Sequence, residues 1–132
     1  MAEFRFDLVS PERLVFAGNV EQVDVPGSEG DFGVLAQHAP LIAMLRPGIL
    51  TIRAAGEPKR IVVVGGFAEV NAQGLTVLAD TAVPVEEFDR TSLAAGIKDS
   101  EEDLADAADD AARDKAREKL EQLKALQAAL AN

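Results

Sequence analysis

The chain is 132 residues long and 48% apolar, a length at which a domain buries roughly two-thirds of the surface that its unfolded chain exposes. No apolar run approaches the ~20 residues of a membrane-spanning helix, and the absence of cysteine removes disulfides, thiolate metal ligands and cysteine nucleophiles together. Thirteen Lys and Arg against 23 Asp and Glu leave a net charge of −10, which disfavours nucleic acid and anionic lipid as partners.

The opening residues, Met1-Ala2-Glu3-Phe4-Arg5-Phe6-Asp7, show neither a secretory apolar region nor an Arg-rich transit pattern, so export is not expected. Phe4, Phe6 and Leu8 alternate with Arg5 and Asp7 and predict a strand with one buried face. Leu14 to Val25 reads as a longer extended segment with a turn or bulge at Gly18-Asn19. Further strands are predicted over Ile49 to Ala54, Arg60 to Val64, Phe67 to Asn71 and Leu75 to Ala79. The turns between them are Ala55-Gly56-Glu57-Pro58, Gly65-Gly66 and Ala72-Gln73-Gly74, the close spacing expected of a β-sandwich. Residues 1–85 therefore form the β-sandwich domain of an α+β protein.

Residues 86–132 contain no proline and one glycine, Gly96, and are rich in Ala, Leu, Glu, Lys and Arg, a composition that favours helix. Leu120, Leu123, Leu126 and Leu130 fall on one stripe and predict an amphipathic last helix. An earlier helix beginning near Glu86 or Glu87 presents Phe88, Leu93, Ile97 and Leu104, weakened in its middle by Gly96 and Lys98-Asp99-Ser100. With a bend between Ala105 and Ala111, residues 86–132 read as an antiparallel two-helix hairpin. A hairpin of this size rarely holds a core alone, so docking on another surface is expected.

Most catalytic constellations cannot be assembled, because His38 is the one histidine and tyrosine and tryptophan are absent. Ser28, in Pro26-Gly27-Ser28-Glu29-Gly30, stands where a nucleophile elbow would place its serine, but Pro26 occupies the position of the first glycine. Gly27, Gly30 and Gly33 match neither the dinucleotide fingerprint nor the P-loop and predict a tight exposed turn. His38 reads as a hydrogen-bonded loop-end residue or as a contact residue. Asp99, Glu101, Glu102, Asp103, Asp106, Asp109 and Asp110 lack calcium-loop spacing and read as a solvated bend. Arg113, Lys115, Arg117 and Lys119 suit either pairing within the hairpin or an acidic partner. No cofactor, metal or catalytic residue is expected.

Val25-Pro26-Gly27-Ser28-Glu29-Gly30-Asp31-Phe32-Gly33-Val34-Leu35, then His38-Ala39-Pro40-Leu41 and Arg46-Pro47-Gly48, resemble the signature of the epsilon family of F-type ATP synthases. Gly65-Gly66-Phe67-Ala68-Glu69-Val70 and Val77-Leu78-Ala79-Asp80-Thr81-Ala82 resemble that family's glycine-glycine junction and closing strand. The resemblance implies a ten-stranded β-sandwich that grips the gamma shaft and rests on the c-ring loops. It would be a non-catalytic central-stalk part that couples proton-driven rotation to ATP synthesis on other subunits. It assigns Glu29, Gly30 and Asp31 to the c-ring contact and His38 to the gamma interface. The hairpin resembles the family's regulatory element, which in some members folds against the sandwich and in others extends along gamma to hinder ATP hydrolysis, with the alpha and beta subunits as further partners. The implied location is peripheral, on the cytoplasmic face of a bacterial inner membrane, with a plastid thylakoid as the lesser alternative. Members that bind ATP carry Ile/Leu-Asp-x-x-Arg-Ala, whereas this chain reads Phe88-Asp89-Arg90-Thr91-Ser92-Leu93, with Ser92 at the arginine position.

Two other readings suit the residues alone. One is a free-standing β-sandwich adaptor that binds through its glycine-rich turn and dimerises through its helices. The other is a small hydrolase or sugar-modifying enzyme using Asp31, His38 or Asp80, for which no paired acid and base environment is evident.

Overall fold

In the computed structural model, which describes residues 2–131, the early alternation becomes strand β1 (Phe4–Val9), with Phe6 and Leu8 fully buried. Seven strands follow: β2 (Leu14–Val20), β3 (Gln22–Gly27), β4 (Gly30–Leu35), β5 (Leu41–Met44), β6 (Gly48–Arg53), β7 (Lys59–Asn71) and β8 (Gly74–Pro84). They hydrogen-bond in the order β2-β1-β8-β7-β6-β3-β4, and β5 adds to β7. The β1–β8 pair is parallel and the other ladders are antiparallel.

One long hairpin turns this single path into two facing layers. The first half of β7 pairs with β6 through Lys59–Val63, and its second half pairs with β5 through Phe67–Val70. Between them Gly65 and Gly66 have φ of 70° and 99°, the left-handed region that only glycine enters without strain. A Cβ at Gly66 would collide with the Leu78 carbonyl oxygen, and one at Gly65 with the Asp80 carboxylate. Strand β8 runs alongside through the same bend, and Phe6, Val23, Leu50, Ile52, Val63 and Val77 fill the space between layers. Fully burying a side chain of this kind contributes about 1.5–3 kcal/mol.

Among the described residues the strand count is eight, not ten. Gly65-Gly66 is no turn between short strands: Arg60–Val64 and Phe67–Asn71 belong to one 13-residue β7. Because β7 and β8 each cross the bend, two continuous strands supply a segment to both layers. The extended segment of residues 14–25 is two strands that part at Glu21, and Gly18 lies inside β2.

The chain divides into two compact units between Glu87 and Phe88. Residues Val85–Glu87 form a 3-10 turn, so the first helix does not start at Glu86 or Glu87; α1 spans Arg90–Ala105 and α2 spans Asp110–Leu130. Asp89 caps α1, its carboxylate accepting from the Thr91 and Ser92 amides at 2.9 and 3.2 Å. Asp109 caps α2 by accepting from the Ala112 amide at 2.7 Å. The two helices pack on each other, burying Leu93, Ile97 and Ser100 of α1 and Ala116, Leu120, Leu126 and Leu130 of α2. Ser100 is the exception on this stripe, because its Oγ is buried and has no hydrogen-bond partner among the described residues.

Gly66→Ala is expected to lower stability by about 3 kcal/mol or more, combining positive-φ strain with a backbone clash. Ser100→Ala is expected to do the opposite for the hairpin, raising its stability by about 1 kcal/mol, since an unsatisfied buried hydroxyl disappears. Urea titrations followed by circular dichroism measure both, and a destabilised Ser100→Ala would show that the hydroxyl is satisfied.

Candidate functional site

The glycine-rich motif forms the β3–β4 hairpin, in which Gly27 pairs with Gly30 around Ser28 and Glu29. Gly30 has φ of 136°, and a Cβ on Gly27 would lie 2.6 Å from the Gly30 carbonyl oxygen. The turn therefore closes only with glycine on both sides. Gly33 falls within β4 instead.

Four contacts fasten this turn to the end of β5 and the chain that follows it. The Ser28 amide donates to the Met44 carbonyl at 2.8 Å, and the Arg46 amide donates to the Pro26 carbonyl at 3.0 Å. The Arg46 guanidinium donates to the Gly27 carbonyl at 2.7 Å and pairs with Asp31. Arg46 is thus a residue that sequence reasoning assigned only to a motif and not to a role. Glu29 is exposed and makes no hydrogen bond or ion pair among the described residues. Of the two carboxylates assigned to this contact, one faces solvent without a partner and the other is held by an arginine.

The turn and strand β5 border one groove, lined by Gly27–Phe32 and Leu41–Met44. Among the described residues strand β5 forms a ladder with β7 alone, and its outward residues Ile42 and Met44 are 69% and 60% exposed. From Met44 a row of facing partners crosses five strands: Phe67 on β7, Leu78 on β8, Val9 on β1 and Leu14 on β2. Leu78 and Leu14 are also exposed. A contiguous outward row of large apolar side chains marks an interaction surface. The sequence signal for it is weak, because each strand contributes one residue; only the unbroken run Leu41-Ile42-Ala43-Met44-Leu45 hints at a strand apolar on both faces.

His38 lies at the other end of β4, roughly 20 Å from the turn at ~3.3 Å per residue. It is half-buried, with Nδ1 2.7 Å from the Ala39 carbonyl oxygen, and it borders a separate cleft with Phe4, Leu35 and Val70. Asp80 lines a third cleft with Ser10 and Phe67. Asp31, His38 and Asp80 are therefore not brought together, and the hydrolase reading has no site.

At the start of α1, Ser92 takes the place of the family motif's arginine and its hydroxyl donates to Asp89 at 2.8 Å. Arg90 is committed elsewhere, donating to the Leu130 carbonyl at 3.0 Å and so tying the end of α2 to the start of α1. The residues corresponding to a nucleotide motif build a helix cap and a hairpin clasp. The basic block is paired in part within its own helix: Arg113 with Asp110 at 3.0 Å and Arg117 with Asp114 at 3.3 Å. No helix among the described residues is long and apolar enough to cross a membrane.

Residues 3–85 match the family model described as ATP synthase, Delta/Epsilon chain, beta-sandwich domain. The chain is 55% identical over 130 residues to an ATP synthase epsilon chain 1 of Nitrobacter hamburgensis, covering 98% of this chain and 96% of the relative. It is 60% identical over 105 residues to an ATP synthase epsilon chain of Rhodopseudomonas palustris, covering 80% of this chain and 78% of that one. Among solved structures, a chain of the Euglena gracilis mitochondrial ATP synthase, in an assembly of OSCP, F1 and c-ring, superposes with a TM-score of 0.80 at 31% identity. That match covers 98% of this chain and 82% of the other. A chain of the Tetrahymena thermophila mitochondrial ATP synthase central stalk and c-ring shares the fold, with a TM-score of 0.62 at 17% identity and 97% of each chain covered.

The cap of α1 carries a pH dependence. Hydrogen bonds from the Ser92 hydroxyl, then from the Ser92 amide, and to a smaller extent from the Thr91 amide hold the Asp89 carboxyl below its ordinary value. A depressed folded-state value stabilises fully above the unfolded carboxyl's pKa and is lost as pH falls through the folded one. Helix α1 is expected to fray at its first turn as pH drops below the ordinary Asp range. Asp89→Ala is expected to show that fraying at neutral pH, and NMR amide shifts of Thr91 and Ser92 across a pH titration measure both.

Proposed function

The chain belongs to the delta/epsilon family of ATP synthase chains, and from that premise we propose that it works as the epsilon subunit of the central stalk. It is a non-catalytic rotor part: it makes no bond itself and transmits torque between the membrane ring and the catalytic sites of other subunits. The sandwich of residues 1–85 grips gamma and meets the c-ring loops, and the hairpin of residues 86–132 regulates ATP hydrolysis through the alpha and beta subunits. The subunit sits at the cytoplasmic face of a bacterial inner membrane, held there by its partners.

The observation that carries this reading is the outward row from Met44 to Leu14 bordering the groove beside the acidic turn. One small domain then offers two chemically different contacts. A broad apolar stripe suits a large, lasting interface with a protein shaft, because apolar burial rewards area and has no fixed direction. A turn with a free carboxylate suits a polar loop carrying positive charge, where complementarity fixes register. A coupling element needs both kinds of contact at once, and the c-ring and gamma supply the two partners. His38, three residues before β5, is the further gamma contact in this reading.

Size-exclusion co-elution with a catalytic head complex, prepared with and without gamma, tests the assignment. Co-elution only in the presence of gamma is the expected result, and failure with both would replace the rotor reading with the free-standing adaptor. Met44→Glu and Leu78→Glu are each expected to weaken the gamma-dependent association at least about ten-fold without unfolding the chain, since both side chains face solvent in the free protein.

A further inference from the structure

We propose that Arg46 is the positioning residue of the c-ring contact, pairing Asp31 to the sandwich so that Glu29 is the unpaired carboxylate presented to the ring. This rests on the rotor reading above and assigns separate roles to two acids that the sequence motif treats alike.

Arg46 is fixed first through its backbone. Its backbone amide donates to the Pro26 carbonyl, and two residues on, a Cβ at Gly48 would approach Pro26 Cβ to 2.7 Å. The segment Arg46–Gly48 is thus laid closely along Pro26, one residue before the turn. Leu45 forms a bridge with Gly27, and the Leu45 amide donates to the Gly66 carbonyl at 3.0 Å, tying the same segment to the bend of β7. The root of the Arg46 side chain is therefore fixed by the sandwich on both sides.

From that root the guanidinium reaches both strands of the hairpin. It donates to the Gly27 carbonyl at the end of β3 and pairs with Asp31 at the start of β4. The Arg46 side chain is 29% exposed against 71% for Asp31, so the arginine is the sheltered partner and the aspartate is drawn to it. An exposed ion pair alone would do little. Here Nη1 donates to the Gly27 carbonyl, which orients the planar fork and turns the neighbouring Nη2 to Asp31. A lysine, a point charge on a flexible stem, cannot hold both acceptors in fixed directions.

The consequence falls on the tip. Gly27 and Gly30 flank Ser28 and Glu29, and glycine alone would leave this turn free to change shape. With Arg46 bridging its two sides and the Ser28 amide anchored on Met44, Glu29 projects from a pre-ordered loop. Its carboxylate is unspent, and pre-ordering removes the entropy cost of fixing the loop on contact.

The test is a double-mutant cycle on the full chain, read as binding to the detergent-solubilised c-ring with gamma attached. Arg46→Met, Asp31→Asn and Glu29→Gln are each expected to weaken binding about ten-fold. In the Arg46→Met background Asp31→Asn is expected to add almost nothing, because both act through one pair. Arg46→Lys is expected to restore little. An Asp31→Asn loss that persists in full without Arg46 would mean that Asp31 meets the ring itself and would overturn the proposal. Hydrogen exchange of the Ser28–Gly30 amides in the free protein gives a readout independent of any partner, expected to quicken at least about five-fold in Arg46→Met with thermal stability little changed. Unchanged exchange would overturn the positioning role, whereas wild-type protein that ignores the ring would overturn the rotor reading and leave the exchange result to decide on Arg46.

Discussion

The sandwich depends on a backbone constraint at two adjacent residues. Gly65 and Gly66 bend β7 at positive φ, and because β8 follows the same path, one hairpin serves two layers. The core, the placement of β5 and the anchoring of the acidic turn follow from that bend. Gly66 receives the Leu45 amide, Leu45 bridges to Gly27, and Gly27 closes the turn. The packing of the interior and the position of the outermost loop are linked through a few backbone contacts. Such a path can transmit a fixed geometry without any large side chain along it.

That continuity also explains what was legible in the sequence and what was not. Alternation at Phe4–Leu8 and the turn residues after Ala54 and Asn71 marked real boundaries, because local sterics decide them. Gly65-Gly66 misled, since the same residues that make a turn also make a bend inside a paired strand, and only cross-strand partners tell these apart. The glycine spacing around Ser28 located the turn correctly. Arg46 was out of reach because its partners, Gly27 and Asp31, are 19 and 15 residues away in the chain. The apolar row was hidden for a related reason: Met44, Phe67, Leu78, Val9 and Leu14 become neighbours only through four ladders. The family signature reached further than periodicity did, but it gave Glu29 and Asp31 one common role, whereas their environments differ.

The helical unit is built with unequal care along its length. Its entry points are well satisfied, with aspartate caps on both helices and Arg90 closing the open end against Leu130. Its middle is less so, with Gly96 in α1 and a buried serine hydroxyl one turn later. A Cβ at Gly96 would make only ordinary contact with Leu123, at 3.6 Å, so packing does not require glycine there. A helix pair closed at its ends and soft at its centre opens locally at lower cost than its full unfolding.

Met44 gives the outward row a chemical lifetime as well as a shape. Its side chain stands exposed on an edge strand, where oxidants reach it, and conversion to the sulfoxide would place a polar, chiral group at one end of the apolar row. Burial of that sulfur against a partner protein would slow such oxidation. A reductase acting on methionine sulfoxide would reverse that change.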